Sequence, residues 1–222
     1  MAVAGLVWAR QIGRRPAGAA PRPAARRIAG LWRDRLAWQV TLFMGLQSML
    51  AYIVFGWMAP MLRGRGDPAA TAGYAVSLSV VFQIVASLPA PVLAARLKRQ
   101  SAPATAAMLV AAASFVGLLA APLSWQWALA AVLGLGQGAA FALAILIIVL
   151  RAGDSDAAAQ LSGMAQSAGY TMAALGPLLA GVLHDWTGDW RGAGWLFVTA
   201  GLAAAVAGWL AGRDRLVGAQ RG

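Results

Sequence analysis

The 222-residue sequence contains no cysteine, no glutamate and a single histidine, His184. Without cysteine, the chain has no disulfide, no iron–sulfur cluster and no thiolate zinc site. Charged residues make up 11% of the chain, against about 25% in a typical soluble domain. A nucleophile–base pair or a metal-ligand set needs more reactive side chains than these, so we expect neither an enzyme nor a bound cofactor.

The sequence contains long stretches without any charged residue. The five runs 36–62, 68–95, 100–150, 157–184 and 192–212 hold 27, 28, 51, 28 and 21 residues. Each is at or above the ~20 residues that a helix needs to cross a bilayer. A soluble globular fold is therefore excluded, and the lipid bilayer is the expected surrounding.

The 51-residue run is too long for one helix, and Pro122-Leu123-Ser124 provides a turn signal inside it. The sequence therefore predicts an all-α membrane protein with six transmembrane helices, numbered here span 1 to span 6. Their predicted bounds are about 36–62, 69–95, 102–121, 125–150, 160–184 and 193–212.

The basic residues predict the orientation of these spans. Eight arginines precede span 1, and the connections after spans 2, 4 and 6 carry more Lys and Arg, whereas the opposite side holds Arg63, Arg65 and Arg191 alone. Positive loops stay inside, so both ends should be cytoplasmic, with 213–222 as a cytoplasmic tail. All ten tryptophans lie near predicted span ends or outside the spans, as interfacial indole rings do. The net charge of +11 is then explained by the basic cytoplasmic loops and by their attraction to anionic lipid headgroups, and no nucleic acid partner is expected.

The beginning of the chain has an unusual pattern. Residues 1–9 are apolar but too short to cross, and positive charge follows them instead of preceding them as in a secretory signal. We expect a remnant of a preceding transmembrane helix at 1–9 and a basic cytoplasmic linker at 10–35. A short amphipathic leader on the membrane surface is the alternative.

Polar residues share one helical face in four of the six spans, which predicts a common polar cleft. Span 1 contributes Thr41, Ser48 and Tyr52, with Gln47 offset; span 2 contributes Ser79, Gln83 and Ser87; span 4 contributes Gln126, Gly134, Gln137 and Phe141; span 5 contributes Ser162, Gln166, Tyr170, Ala173, Pro177, Ala180 and His184. Spans 3 and 6 lack such faces and are expected to face lipid. Interhelical hydrogen bonding is the alternative role for each polar residue.

Several smaller features have structural interpretations. Glycines 134, 136 and 138, and the seven-residue series 194, 201 and 208, are expected to allow close helix packing. His184-Asp185 is interpreted as a hydrogen-bonded cap at the outer interface, with proton coupling as the alternative. Arg63, Arg65 and Asp67 are expected in a solvated outer turn.

Two segments resemble a known family. Residues 38–48, WQVTLFMGLQS, resemble the seventh helix of the cyanate/nitroimidazole transporter branch of the major facilitator superfamily. Residues 161–170, LSGMAQSAGY, with Gly176-Pro177, resemble its eleventh helix, and 134–138 is compatible with the tenth. The superfamily's Gly- and Asp-containing loop motif is hardly recognisable in 91–100, where only the basic cluster matches.

The resemblance implies the C-terminal six-helix half of a twelve-helix transporter, built as a 3+3 inverted repeat. It also implies a bacterial inner-membrane location and a partner half, which could be fused upstream, separate or a second copy. The expected activity is transport of a small anion or neutral organic solute by alternating access. The expected substrate contacts are Gln47, Tyr52, Gln83, Gln137, Gln166 and Tyr170. No carboxylate lies in a span, so no proton carrier is evident. The alternative is a truncated or non-transporting six-helix membrane protein that acts only as a packing or interaction subunit.

Overall fold

A computed structural model describes residues 30–218 of the chain. That part contains α-helices and two 3-10 turns, Leu31–Arg33 and Leu123–Trp125, and no strand. The helices are α1 (Arg35–Gly64), α2 (Ala69–Ser87), α3 (Pro89–Ala95), α4 (Ser101–Ala120), α5 (Gln126–Arg151), α6 (Ser155–Thr187) and α7 (Arg191–Ala211). The predicted helix remnant 1–9, linker residues 10–29 and tail residues 219–222 lie outside the described residues.

Local chemistry explains where these helices begin and end. The Asp34 carboxylate caps α1 by accepting from the backbone N–H groups of Leu36 and Ala37 at 2.7 and 3.1 Å. Asp154 caps α6 in the same way through the N–H of Ala157 at 2.8 Å. Helix α6 ends at Thr187, and the following Gly188 caps it with a φ of 70°. Pro89 separates α3 from α2, because proline has no N–H to continue the α2 hydrogen-bond ladder.

Five helical segments in the described range are long and apolar enough to cross a membrane: Arg35–Gly64, Ala69–Ala95, Ser101–Ala120, Leu123–Arg151 and Arg191–Ala211. The 33-residue helix α6 is long enough but more polar, since Ser, Thr and Gln side chains occur along it. The all-helical, apolar architecture confirms the predicted fold class. The bounds of the six membrane spans stay a prediction.

Two pairs of helices cross closely, and α4 and α7 pack together on one side of them. Helix α1 packs mainly on α6, and α2 packs mainly on α5. Behind them, α4 contacts α5 and α7, and α7 also contacts α1. The rings of Phe115 and Phe197 stack with centroids 3.7 Å apart and join α4 to α7.

Glycines allow the close crossings. A Cβ on Gly134 or Gly138 of α5 would collide with the backbone carbonyl oxygens of Ser79 or Gln83 on α2. A Cβ on Gly45 of α1 would lie 2.9 Å from the Gly169 backbone of α6. Glycines 194, 201 and 208 of α7 lie against side chains of α4 and α1. The backbones therefore approach more closely than any side chain would permit.

Arg151 ties the ends of three segments together on the predicted cytoplasmic side. Its guanidinium is buried, donates to the Gln100 side-chain oxygen, and lies 3.4 Å from the carboxylate of Asp214. The Gln100 amide in turn donates to the Ala94 carbonyl at 3.1 Å. The end of α5, the loop before α4 and the chain after α7 are thus held in one network.

Candidate functional site

A cavity of about 290 Å³ lies between α1, α2, α5 and α6. Its lining contains no charged residue, and none of its residues comes from α4 or α7. The lining consists of Gln47, Ser48, Ala51, Tyr52, Phe55, Gln83, Gln137, Phe141 and Tyr170. Five of the six residues predicted to contact substrate are thus brought together, from the four helices predicted to line the cleft.

The close crossing of α2 and α5 positions two glutamines in this cavity. Because Gly138 lets α5 approach the Gln83 backbone, the neighbouring Gln137 side chain reaches Gln83. The Gln83 Nε2 donates to Gln137 Oε1 at 3.3 Å. Gln137 is 3% exposed, and its own Nε2 has no hydrogen-bond partner within the part of the chain that the structure describes. A buried donor is therefore left free at the cavity wall.

Helix α1 supplies a second polar group. Gln47 is buried, and its Nε2 donates to the Ser48 hydroxyl at 2.7 Å and to the Met44 carbonyl at 3.2 Å. These bonds fix the amide plane, so the group is preorganised before any solute arrives.

Aromatic side chains form the more open part of the lining. Tyr52, Phe55 and Phe141 are exposed, and Tyr170 is half-buried. Ala51 and Phe55 are lining residues that the sequence analysis missed. Their positions, three and seven residues after Ser48, continue the same helical face, and this spacing is the signal that would have revealed them.

Gln166 is the predicted site residue that the structure does not bring into the cavity. Its side chain is exposed, and its Nε2 donates to the hydroxyl of Ser162 one turn earlier at 2.7 Å. Tyr170, one turn later, is the residue of α6 that lines the cavity. Four residues span about 6 Å along a helix, so Gln166 lies beyond the cavity toward the start of α6.

The predicted outer end differs from the expected solvated turn. Asp67 is 9% exposed, and the Arg65 guanidinium donates to the carbonyl oxygens of Leu118 and Ala121 at the end of α4. The prediction of a solvated position is wrong for Asp67, which is buried, and Arg65 is half-buried because its guanidinium lies against the end of α4. Arg63 stays exposed.

His184 takes part in a local hydrogen-bonded arrangement at the end of α6. Its ring stacks on Trp190 with centroids 3.7 Å apart, and its Nδ1 lies 3.1 Å from the Asp189 carbonyl. Asp185 is exposed. Within residues 30–218, no group of three His or Asp side chains is placed to hold a metal ion.

The sequence of the chain matches a known family and known proteins. Residues 40–221 match the Major Facilitator Superfamily. The chain is 38% identical over 213 residues to the uncharacterized transporter YycB of Bacillus subtilis, covering 96% of this chain and 52% of that protein. It is 39% identical over 190 residues to the 2-nitroimidazole transporter of Escherichia coli, covering 84% of this chain and 47% of that protein.

The chain thus spans about half the length of these curated relatives. The matches confirm the resemblance to the nitroimidazole transporter branch of the superfamily. The apolar helices and the relatives together make this a multi-pass membrane protein. The family match covers most of the chain, so the protein belongs to the major facilitator superfamily.

Proposed function

We propose that this chain forms one half of a transporter that moves a small, uncharged or singly charged organic solute across the bacterial cytoplasmic membrane. The cavity between α1, α2, α5 and α6 is its share of the binding site, and it opens to each side of the membrane in turn. The observation that carries the proposal is the buried Gln137 Nε2, which has no partner within residues 30–218 and faces an uncharged cavity.

A buried amide donor without an acceptor costs about 1–3 kcal/mol. A solute oxygen or ring nitrogen that accepts from Gln137 would remove this cost, so the pocket favours a ligand with an acceptor. The aromatic side chains of Tyr52, Phe55, Phe141 and Tyr170 suit a flat ring. A small nitro-substituted heteroaromatic molecule has both properties, and the name of the Escherichia coli relative points to the same chemistry.

The partner that completes the site is proposed to be a second six-helix half. Helix α2 buries less of its surface than the other candidate spans, and Val81, Ile84 and Val85 are exposed on it. Helix α6 exposes Leu175 and Leu178 in a similar way. No other described residue covers these apolar faces, and the relatives are about twice as long as this chain. The partner half could be fused upstream, separate or a second copy.

The charge distribution supports an orientation with both ends of the chain in the cytoplasm. Arg96, Lys98 and Arg99 follow α3, and Arg213 and Arg215 follow α7. Arg63 and Arg191 lie at the opposite ends of their helices. Cytoplasmic loops generally carry the excess of Lys and Arg, and this rule supports a cytoplasmic position for the larger cluster.

The test is solute uptake into vesicles that contain this chain together with a second half, with labelled 2-nitroimidazole as the probe. Gln137→Leu should lower uptake about tenfold or more, because the solute loses its hydrogen-bond donor. The unfolding temperature of the same variant should change little, since the substitution removes one unpaired buried donor and one 3.3 Å hydrogen bond from Gln83 together. Thr199→Val on α7, whose hydroxyl bonds only its own helix at 2.9 Å, is the matched control and should retain uptake.

Uptake that survives Gln137→Leu would contradict the assignment of the cavity. A wild-type assembly that carries no probe or related heteroaromatic solute, yet binds its partner half, would favour the role of a packing subunit.

A further inference from the structure

A second cavity, of about 410 Å³, lies between the start of α1 and the chain that follows α7. This is the end of the bundle proposed to be cytoplasmic, and the cavity shares no lining residue with the solute cavity. Its lining consists of Asp34, Arg35, Leu36, Gln39, Arg213, Arg215 and Leu216. Three guanidinium groups that converge on one cavity favour an anionic ligand with several acceptor oxygens.

The one carboxylate in this lining is already used by the backbone. Asp34 Oδ1 accepts from the N–H groups of Leu36 and Ala37 at 2.7 and 3.1 Å, and Oδ2 accepts from the N–H of Gly218 at 2.8 Å. Asp34 forms no ion pair with a described residue. These bonds hold the chain after α7 against the start of α1, and they leave the three arginines without a carboxylate partner.

The other carboxylates of the chain do not neutralise these arginines either. Asp214 is their neighbour in sequence, but its carboxylate lies 3.4 Å from the guanidinium of Arg151. All seven acidic residues fall within residues 30–218, so the segments 1–29 and 219–222 contain none and add further arginines. The excess of positive charge at this cavity can therefore be balanced only by a group from outside the chain.

One of the three arginines is held in place and two are free to move. Arg213 is half-buried, and its guanidinium donates to the Leu210 carbonyl at 3.0 Å and to Gln39 Oε1 at 3.1 Å. The side chains of Arg35 and Arg215 are exposed and form no ion pair within residues 30–218. The cavity thus has one preorganised cation and two that can close on an anion.

The face of α7 that leads to this cavity is apolar and exposed. Leu202, Val206 and Trp209 are 50%, 60% and 53% exposed. At 100° per residue they lie within about 60° of one another, and Gly212 keeps a helical conformation that continues this face to Arg213. An apolar face below a basic cavity suits a phospholipid, whose charged headgroup is attached to hydrocarbon chains. A soluble anion has no use for such a face.

We propose that this cavity binds the headgroup of an anionic phospholipid, such as phosphatidylglycerol, whose acyl chains lie along the exposed face of α7. The phosphate oxygens accept hydrogen bonds from Arg35, Arg213 and Arg215. Basic pockets at the cytoplasmic ends of transmembrane helices bind anionic headgroups in the same way. The bound lipid holds the first and last helices of the chain together, and it needs neither the solute nor a partner half.

The test is native mass spectrometry of the full chain, purified in detergent and freed of lipid, with phosphatidylglycerol or phosphatidylcholine added. Phosphatidylglycerol should bind about tenfold more tightly or better, because the phosphatidylcholine headgroup has no net charge. Arg35→Gln together with Arg215→Gln should lower the affinity for phosphatidylglycerol about tenfold or more, since two of the three cations are lost.

The matched control is Arg96→Gln together with Arg99→Gln. This double variant also removes two exposed arginines on the proposed cytoplasmic side, but neither lines the cavity. It should change the affinity for phosphatidylglycerol less than about threefold. Equal losses in the two double variants would overturn the proposal, because diffuse attraction between basic loops and lipid would then explain the binding.

Soluble anions distinguish a lipid site from a phosphate site. Inorganic phosphate and glycerol phosphate carry a similar charged group without acyl chains, so they should displace phosphatidylglycerol only at about a hundredfold higher concentration or more. Displacement at the concentration of the lipid itself would refute the lipid assignment. So would equal affinities for phosphatidylglycerol and phosphatidylcholine.

Thermal unfolding without lipid checks that a loss of binding is not a loss of fold. Arg35 and Arg215 are exposed, so their double variant should melt within about 2 °C of the control double variant. If it fails to fold, Arg215→Gln alone decides the question, with an expected loss of affinity of about threefold or more. An unchanged affinity in that folded single variant would then contradict the proposal.

Discussion

The close crossing of α2 and α5 predicts how much a methyl group added at Gly138 destabilises the folded chain. In Gly138→Ala, the new Cβ would point at the Gln83 carbonyl oxygen. Carbon and oxygen atoms come no closer than about 3.3 Å even in C–H···O contacts, so the two helices have to separate locally by about 1 Å. The Gln83–Gln137 hydrogen bond, already 3.3 Å long, would then exceed hydrogen-bond range.

The matched control is Gly73→Ala on α2, where an added Cβ meets nothing within 4 Å. Both substitutions replace a helical glycine by alanine, so the gain in helix propensity is common to both. The difference between them isolates the collision. We expect Gly138→Ala to be less stable than Gly73→Ala by about 1–3 kcal/mol, the usual cost of overpacking.

The assay is equilibrium unfolding of the chain in detergent or lipid, by heat or denaturant, with helix content as the signal. A double-mutant cycle adds a specific check: Gln83→Ala should cost less in the Gly138→Ala background than in the wild type, because the bond is already broken. Equal stability of Gly138→Ala and Gly73→Ala would refute the reasoning, since α2 and α5 would then not be in backbone contact.

Two further predictions concern the ends of the helices. Asp34→Ala should destabilise the chain by about 1 kcal/mol, because α1 loses its cap, whereas Asp185→Ala at an exposed site should have little effect in the same unfolding assay. Arg151→Ala should cost about 1–3 kcal/mol, because the buried Gln100 oxygen loses its donor, whereas Arg99→Ala on the exposed loop should be neutral. An Arg151→Ala variant as stable as Arg99→Ala would show that the buried network contributes nothing.

The helical periodicity of polar residues identified cavity-lining residues on each helix where these residues lie at a similar depth in the bundle. Tyr52, Gln83, Gln137 and Tyr170 come from four helices, and residues sharing a polar face indicated each of them. Pro122 also marked the break before α5, because its fixed φ and missing N–H start a turn there. These features depend on local chemistry, which one sequence contains.

The features that sequence did not reveal depend on how helices are placed against one another. Gln166 lies on the same face of α6 as Tyr170. Helical periodicity gives the angular position of a residue around the helix axis, but it does not give the level along the axis at which a neighbouring helix makes contact. The hydrogen bond from Gln126 to Asp67 joins residues 59 positions apart through the path of a loop. Arg151 follows the predicted span 4 and belongs by sequence to a charged connection, yet its guanidinium is buried beside Asp214 in the chain after α7.

The polarity of α6 has a consequence for how the protein is made. Segments rich in Ser, Thr and Gln leave the insertion channel for lipid less readily than their apolar neighbours. The close backbone contact of Gly169 with Gly45 gives α6 a protein surface to join in place of lipid. During synthesis, α1 would therefore pack against α6 only after the four helices between them have been made.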